Sequence, residues 1–141
     1  MSYAFYLDPE KKKINPDLLD KEAKNIAASL LGTVTDRRGR EKNVQVSSHQ
    51  LRKFYNEVKS LEKKTKMFGW DTAEPMVRMV KAKISYATAE SKIDSSERKY
   101  YRNFKNFLTK GIDSIKDEKD FSAFCKFFEA VVGYYYGEGG K

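Results

Sequence analysis

Apolar residues in this chain recur three and four positions apart over five stretches, the interval at which side chains return to one face of an α-helix. The first is "NPDLLDKEAKNIAASLLG". Asn15 suits the cap, Pro16 the first helical position and Gly32 the C-terminal stop, with Leu18, Leu19, Ala23, Ile26, Ala27, Leu30 and Leu31 on one face. A second helix starts at Ser47, with Gln50 at capping-box spacing ahead of Leu51, Phe54, Tyr55, Val58 and Leu61. "MFGWDTAEP" then breaks the period at Gly69. Thr72 is the expected cap and Pro75 falls in the first turn of a third helix reaching about Ser91; residues 67–73 form a candidate hinge. A fourth helix follows Ser96 and Glu97, with Tyr101, Phe104, Leu108, Ile112 and Ile115 in line, and a fifth begins near Asp117. Residues 33–46, with Asp36 and Gly39 as turn formers and four basic side chains, read as a basic loop; Val34 and Val44 alone are thin evidence for a hairpin.

The fifth segment is the least polar. Phe121, Phe124, Cys125, Phe128, Val131, Val132 and Tyr135 form an unbroken stripe that Phe127 and Tyr134 widen, leaving Ser122, Lys126, Glu129, Ala130 and Gly133 to share the rest of the circumference. Such a helix belongs at the centre of a fold or in an interface. The pattern therefore predicts an all-α protein, a single-domain bundle of about five helices spanning residues 1–141, with an elongated or helix-swapped form as an option.

Charge changes this picture. The chain has 141 residues, 28 of them lysine or arginine against 20 acidic, a formal charge of +8 and a pI near 9.4. A polyanion, nucleic acid first, is the expected partner. The single cysteine, Cys125, excludes an internal disulfide and a cysteine-pair metal site and fits a reducing cytoplasm. The N-terminal apolar run is too short for a signal peptide and no window matches a membrane span, so a cytoplasmic protein without membrane contact is expected.

The positions of the cations sharpen the expectation. On the second helix Arg52, Lys59, Lys63 and Lys66 fall in one narrow strip beside Tyr55 and Asn56, while Lys53 points away from it. Arg98, Arg102, Lys105 and Lys116 cluster on the fourth helix, Arg78 and Lys81 lie on the outer face of the third, and Arg37, Arg38, Arg40 and Lys42 occupy the basic loop. Together these are several basic elements that folding could gather on one surface. Glu57 and Glu62 stand among the lysines, and the i, i+4 pair Glu62–Lys66 equally describes a solvated helix face. Tyr55, Tyr86, Tyr100 and Tyr134 to Tyr136 suit stacking on unpaired bases or packing in the core.

Catalytic chemistry finds little support. His49 is the only histidine and stands near a helix start, Cys125 sits on an apolar face, and Asp117, Glu118 and Asp120 crowd a helix N-terminus, where negative charge is favoured for structural reasons. "GEGGK" precedes no helix and is not a phosphate loop. No cofactor or metal is expected, and the chain reads as a non-enzyme.

Three segments, "SSHQLRKFYNEVK", "VRMVKAKISYA" and "FCKFFEAVVGYYYGEGG", resemble in this order the small subunit of the type III-A CRISPR effector, the Csm complex. Where family tails often read Tyr-His, this chain has Tyr134 and Tyr135. The resemblance implies an all-helical, non-catalytic subunit that lines up in copies along a guide–target duplex, with the other subunits and RNA as partners, and contacts the target RNA backbone. It implies RNA contacts at Arg52, Lys53, Lys59, Arg78, Lys81 and Lys83. Charge placement adds Lys63 and the loop residues Arg37, Arg38 and Arg40. A helical protein–protein adaptor, its lysines serving solubility alone, is the competing expectation.

Overall fold

The computed structural model describes residues 2–141. A π-helical segment Leu18–Glu22 runs into α1 (Ala23–Ala28); β1 (Leu31–Thr35) and β2 (Glu41–Gln45) follow, then α2 (Ser48–Phe68), α3 (Trp70–Ala87), a 3-10 turn Glu90–Lys92, α4 (Arg98–Asp113) and α5 (Glu118–Gly137). Helices dominate and number five among the described residues, but the fold is mainly α rather than all-α, because β1 and β2 pair as an antiparallel sheet.

The basic loop expected at residues 33–46 is this hairpin. Register runs from Leu31 opposite Gln45 to Thr35 opposite Glu41. Asp36 and Gly39 do form the turn: Asp36 Oδ1 accepts from the backbone N–H groups of Arg38 and Arg40 at 2.8 and 2.9 Å, and Gly39 has φ +77°. A lone hairpin is marginal in water; this one is held because Val44 and Val46 are buried and Val46 N–H donates to Leu30 O at 3.0 Å. The strands carry little alternation of their own because what they pack on is distant in sequence, including Tyr100 of α4 against Gly32 and Tyr135 of α5, whose hydroxyl donates to Val46 O. Gly32, expected as a helix stop, lies instead in β1, where a Cβ would stand 2.0 Å from the Tyr100 hydroxyl. The first helix accordingly ends at Ala28, its start marked as expected by Asn15, whose Oδ1 accepts from Asp17 N–H at 3.2 Å.

Other boundaries moved by a turn or less. Ser47 caps α2 by accepting from Gln50 N–H at 3.2 Å; the reciprocal half of the capping box is replaced by Tyr101, whose hydroxyl accepts from Ser47 N–H at 2.9 Å. Helix α3 starts at Trp70, capped by Gly69 rather than Thr72, since Gly69 at φ +94° reverses the chain in a single residue. Pro75 consequently falls in the second turn, beyond the first-turn position expected for it. Helix α3 ends at Ala87, short of Ser91, and Asp117 caps α5 by accepting from Asp120 N–H at 2.9 Å.

Helix α5 is central. Phe121, Phe124, Phe127, Phe128, Val131 and Tyr135 are fully enclosed, and Phe107 of α4, missed by the periodic reading, sits among Phe124, Phe127 and Phe128 with ring centroids 5.2–5.8 Å apart. Each enclosed ring contributes about 1.5–3 kcal/mol through lost water contact. Helix α4 comes close enough for this because Gly111 has no side chain: a Cβ there would stand 2.2 Å from Phe124. The N-terminal segment, without helical period, also closes over the core. Phe5 is buried, Tyr3 packs edge-on to Phe127 at 5.0 Å, and Lys11 clasps Asp117 and Asp120 at 2.6 and 3.0 Å.

Candidate nucleic-acid interface

Helix α2 puts Leu51, Phe54, Val58, Leu61 and Thr65 into the core, which fixes the rotation of everything else on it. Arg52, Asn56, Lys59, Lys63 and Lys66, at successive spacings of four, three, four and three, then share one outer edge over about 21 Å, since each residue rises about 1.5 Å. Arg52, Lys63 and Lys66 are exposed, and no carboxylate lies within ion-pair distance of any of the three among the described residues. Asn56, Lys59, Ser60, Lys63 and Lys66 line a shallow groove along this edge, with Glu62 at its side.

Lys59 differs from its neighbours in the row. Its ammonium lies 2.8 Å from Glu62 and 4.0 Å from Glu129 of α5, and the hydrogen bond to Glu62 raises its pKa. Tyr55 ties the same place to α5 by donating to Glu129 Oε1 at 3.2 Å; burial, then the Glu129 charge, raises its pKa. Lys59 thus anchors the row to the fold while Arg52, Lys63 and Lys66 stand open.

The remaining expected contacts divide the same way. Arg78 donates to Ile112 O and Ile115 O, both at 2.8 Å, and to Glu74 at 2.7 Å, so it satisfies carbonyls at the end of α4. Lys81 pairs with Asp113 and Lys83 with Glu57. Arg40 reaches Asp36 at 3.3 Å, while Arg37 and Arg38 project from the hairpin tip with no carboxylate partner among the described residues. Lys53 is exposed, around the helix from the row, 5.9 Å from the Phe54 ring centre. The structure therefore brings together the α2 residues and separately the hairpin tip, and turns the α3 cations toward neighbouring carboxylates. On α4, Arg102 lies 3.4 Å from Glu90 and Arg98 donates to Ile93 O at 3.2 Å.

Sequence reasoning did not single out Lys126, which is exposed on α5. The signal was present: Lys126 and Glu129 fall on the narrow polar side that the helical count leaves to α5.

Elsewhere several polar groups serve the fold. Cys125 is buried, and burial pushes its thiol pKa far up, away from nucleophilic use. His49 is exposed. Asp117 caps α5, and Asp120 accepts from Lys116 N–H at 2.9 Å. No cluster of three metal-ligating side chains occurs among the described residues, and none of their helices is long and apolar enough to cross a membrane. Tyr134 and Tyr135 are tied down, the first donating to Asp20 at 3.1 Å and the second to Val46 O at 2.6 Å. A row of exposed cations along one helix edge can grip a polyanion electrostatically without addressing base edges.

No curated protein and no solved structure matches the chain. The model of the Csm2 Type III-A family matches residues 14–141, the whole α2 row and the hairpin included, and the chain therefore belongs to the Csm2 family, the small subunit of the type III-A CRISPR effector complex.

Proposed function

We propose that this subunit is a non-catalytic, cytoplasmic scaffold that holds the backbone of the target RNA within the effector complex, without sequence preference, in antiviral defence. The observation that carries the reading is the row on α2: Arg52, Lys63 and Lys66, exposed, unpaired among the described residues and aligned on one edge. Lys59 and Asn56 complete it, and Arg37 and Arg38 form a second cationic point on the hairpin. Lys53 stands around the helix and outside the row. Arg78, Lys81, Lys83 and Arg40 act at one remove, holding α3 to α4, α3 to α2 and the turn in shape. Copies aligned along one strand would add avidity to a weak single contact. Exchange of α3 between chains through Gly69 is a second route to self-association; light scattering that showed a monomer at every concentration would exclude it.

Fluorescence anisotropy with unrelated single-stranded RNAs over a salt series tests the proposal. Wild-type affinity falls steeply with salt, because each phosphate contact contributes about 0.7 to the logarithmic slope on single strands. Reversing Arg52, Lys63 and Lys66 to glutamate reduces both affinity and slope, whereas Lys81→Ala leaves them unchanged. Equal binding by the triple variant and the wild type, in the isolated chain and in the assembled complex, would reject the reading in favour of an adaptor without RNA contact.

A further inference from the structure

Seven large hydrophobic side chains are exposed among the described residues, and five of them, Met67, Phe68, Met76, Met79 and Tyr86, belong to the α2–α3 hairpin. Met79 is 56 % and Tyr86 72 % exposed, in a chain whose other helices bury almost all such groups. Met76, Met79, Lys83 and Tyr86 recur at i, i+3, i+7 and i+10, one stripe beside the buried face of Ala73, Val77, Val80 and Ile84. The stripe forms one wall of a groove whose other wall is α2. Two clefts of about 230 and 430 Å³ lie along it, sharing Glu57 and Lys83; Leu61 lines the first, Phe54 the second. From Met76 to Tyr86 the groove runs about 15 Å, close to three helical turns.

Its charge is one-sided. Lys64, with its ammonium 4.0 Å from the Met76 sulfur, and Lys53 stand on the α2 side, and Lys92 lies over the Tyr86 ring at 3.0 Å from its centre. None of these three has a carboxylate partner among the described residues, whereas Glu57 is paired with Lys83 and Glu74 with Arg78. Asp71, at the start of α3, is the exposed exception. A second copy docked face to face would set these lysines against their own equivalents. Stacked RNA bases need planar partners, and of the stripe only Tyr86 is planar. Flexible thioethers lining a groove between two helices suit an amphipathic helix.

We infer that the α2–α3 groove is the docking site for an amphipathic helix of another subunit of the effector complex, its apolar stripe seated on Met76, Met79 and Tyr86 and its flanking aspartates or glutamates facing Lys53, Lys64 and Lys92. The inference rests on membership of the complex and is independent of RNA contact at α2.

The experiment reconstitutes the complete effector complex with the variant Met76→Ser/Met79→Glu/Tyr86→Ala, changed only at exposed positions, and with Lys64→Glu/Lys92→Glu, and measures incorporation by native mass spectrometry. Both variants keep the wild-type circular dichroism of the free chain and bind RNA as it does, yet their incorporation falls about tenfold or more, as loss of a central anchor predicts. In the wild type, amide exchange across residues 76–87 slows on assembly. Full incorporation of the apolar variant, or unchanged exchange, overturns the proposal; full incorporation of the lysine variant alone overturns the acidic character of the partner. Loss of RNA binding by the free apolar variant assigns the stripe to RNA, and a changed mass of the free chain assigns it to self-contact, either of which also refutes it. The α2 reversal at Arg52, Lys63 and Lys66 incorporates normally, which separates failure of this inference from failure of the RNA reading.

Discussion

Helices α4 and α5 on one side and the α2–α3 hairpin on the other are built from the same periodic pattern and used differently. In the first pair, rings fill the space between helices; Phe107 and Phe128 each lie against four other aromatic rings, and even the glycine at 111 is fixed by its neighbour. The hairpin buries one face of each helix and leaves the outer faces cationic on α2 and thioether-rich on α3. Close packing makes the first region intolerant of change, whereas side chains standing in solvent can be exchanged at little cost to the fold. Stability and the proposed recognition surfaces are therefore expected to be separable in this molecule, and the contrast can be tested position by position.

The largest effect is expected from Phe107→Ala, which removes the ring at the centre of the aromatic cluster and leaves a cavity: about 3–5 kcal/mol of destabilisation, read as a lower urea midpoint. Gly111→Ala tests the close approach from the opposite direction, its methyl group forcing Phe124 aside at a cost of about 1–3 kcal/mol. Arg78→Ala sharpens the division among the cations. Losing a charged donor to the Ile112 and Ile115 carbonyls destabilises by about 1–3 kcal/mol, while RNA affinity measured on the folded fraction stays at the wild-type value. An intact stability with weakened RNA binding would move Arg78 into the interface.

Alkali provides a gentler probe of the enclosed region. Burial pushes the phenols of Tyr3 and Tyr135 up to about 12 from an ordinary 10.0. Both hold their protons more tightly in the folded chain, so their contribution is complete below about pH 10 and is lost as pH rises toward 12. Urea midpoints fall across that window, and Tyr135→Phe flattens the fall. The smallest change in stability belongs to Arg52→Ala, Lys63→Ala and Lys66→Ala, each within about 0.5 kcal/mol of wild type, although these substitutions most affect RNA affinity. A large loss of stability there would erase the contrast between the two regions.

Legibility in the sequence follows the same boundary. The α2 start at Ser47, the α5 start at Asp117, the enclosure of α5 and the alignment of the α2 row are local or periodic properties, set by capping chemistry and by 3.6 residues per turn. The hairpin is not of that kind. Its strands carry little alternation, and what holds them, the Tyr100 ring against Gly32 and the Val46 bond to Leu30, comes from residues distant in sequence or on the far side of the turn. The N-terminal segment was silent for a similar reason: Lys11 meets Asp117 and Asp120 across more than a hundred residues.

Within the candidate interface, residue type and spacing identified the cations but not their partners. Arg52 and Arg78 look alike in sequence; one stands in solvent and the other is held by two carbonyls and a carboxylate. Lys83 and Lys63 diverge in the same way once Glu57 meets one of them across the α2–α3 contact.

By itself the sequence determined five helical segments, a central aromatic helix, an excess of positive charge and the edge of α2 on which part of that charge falls, because periodicity and capping act over a few residues. Tertiary structure alone decided that the basic loop is a hairpin, which cations are neutralised and which remain open, and that α3 presents methionines to solvent, because each depends on what a distant segment places within a few ångströms.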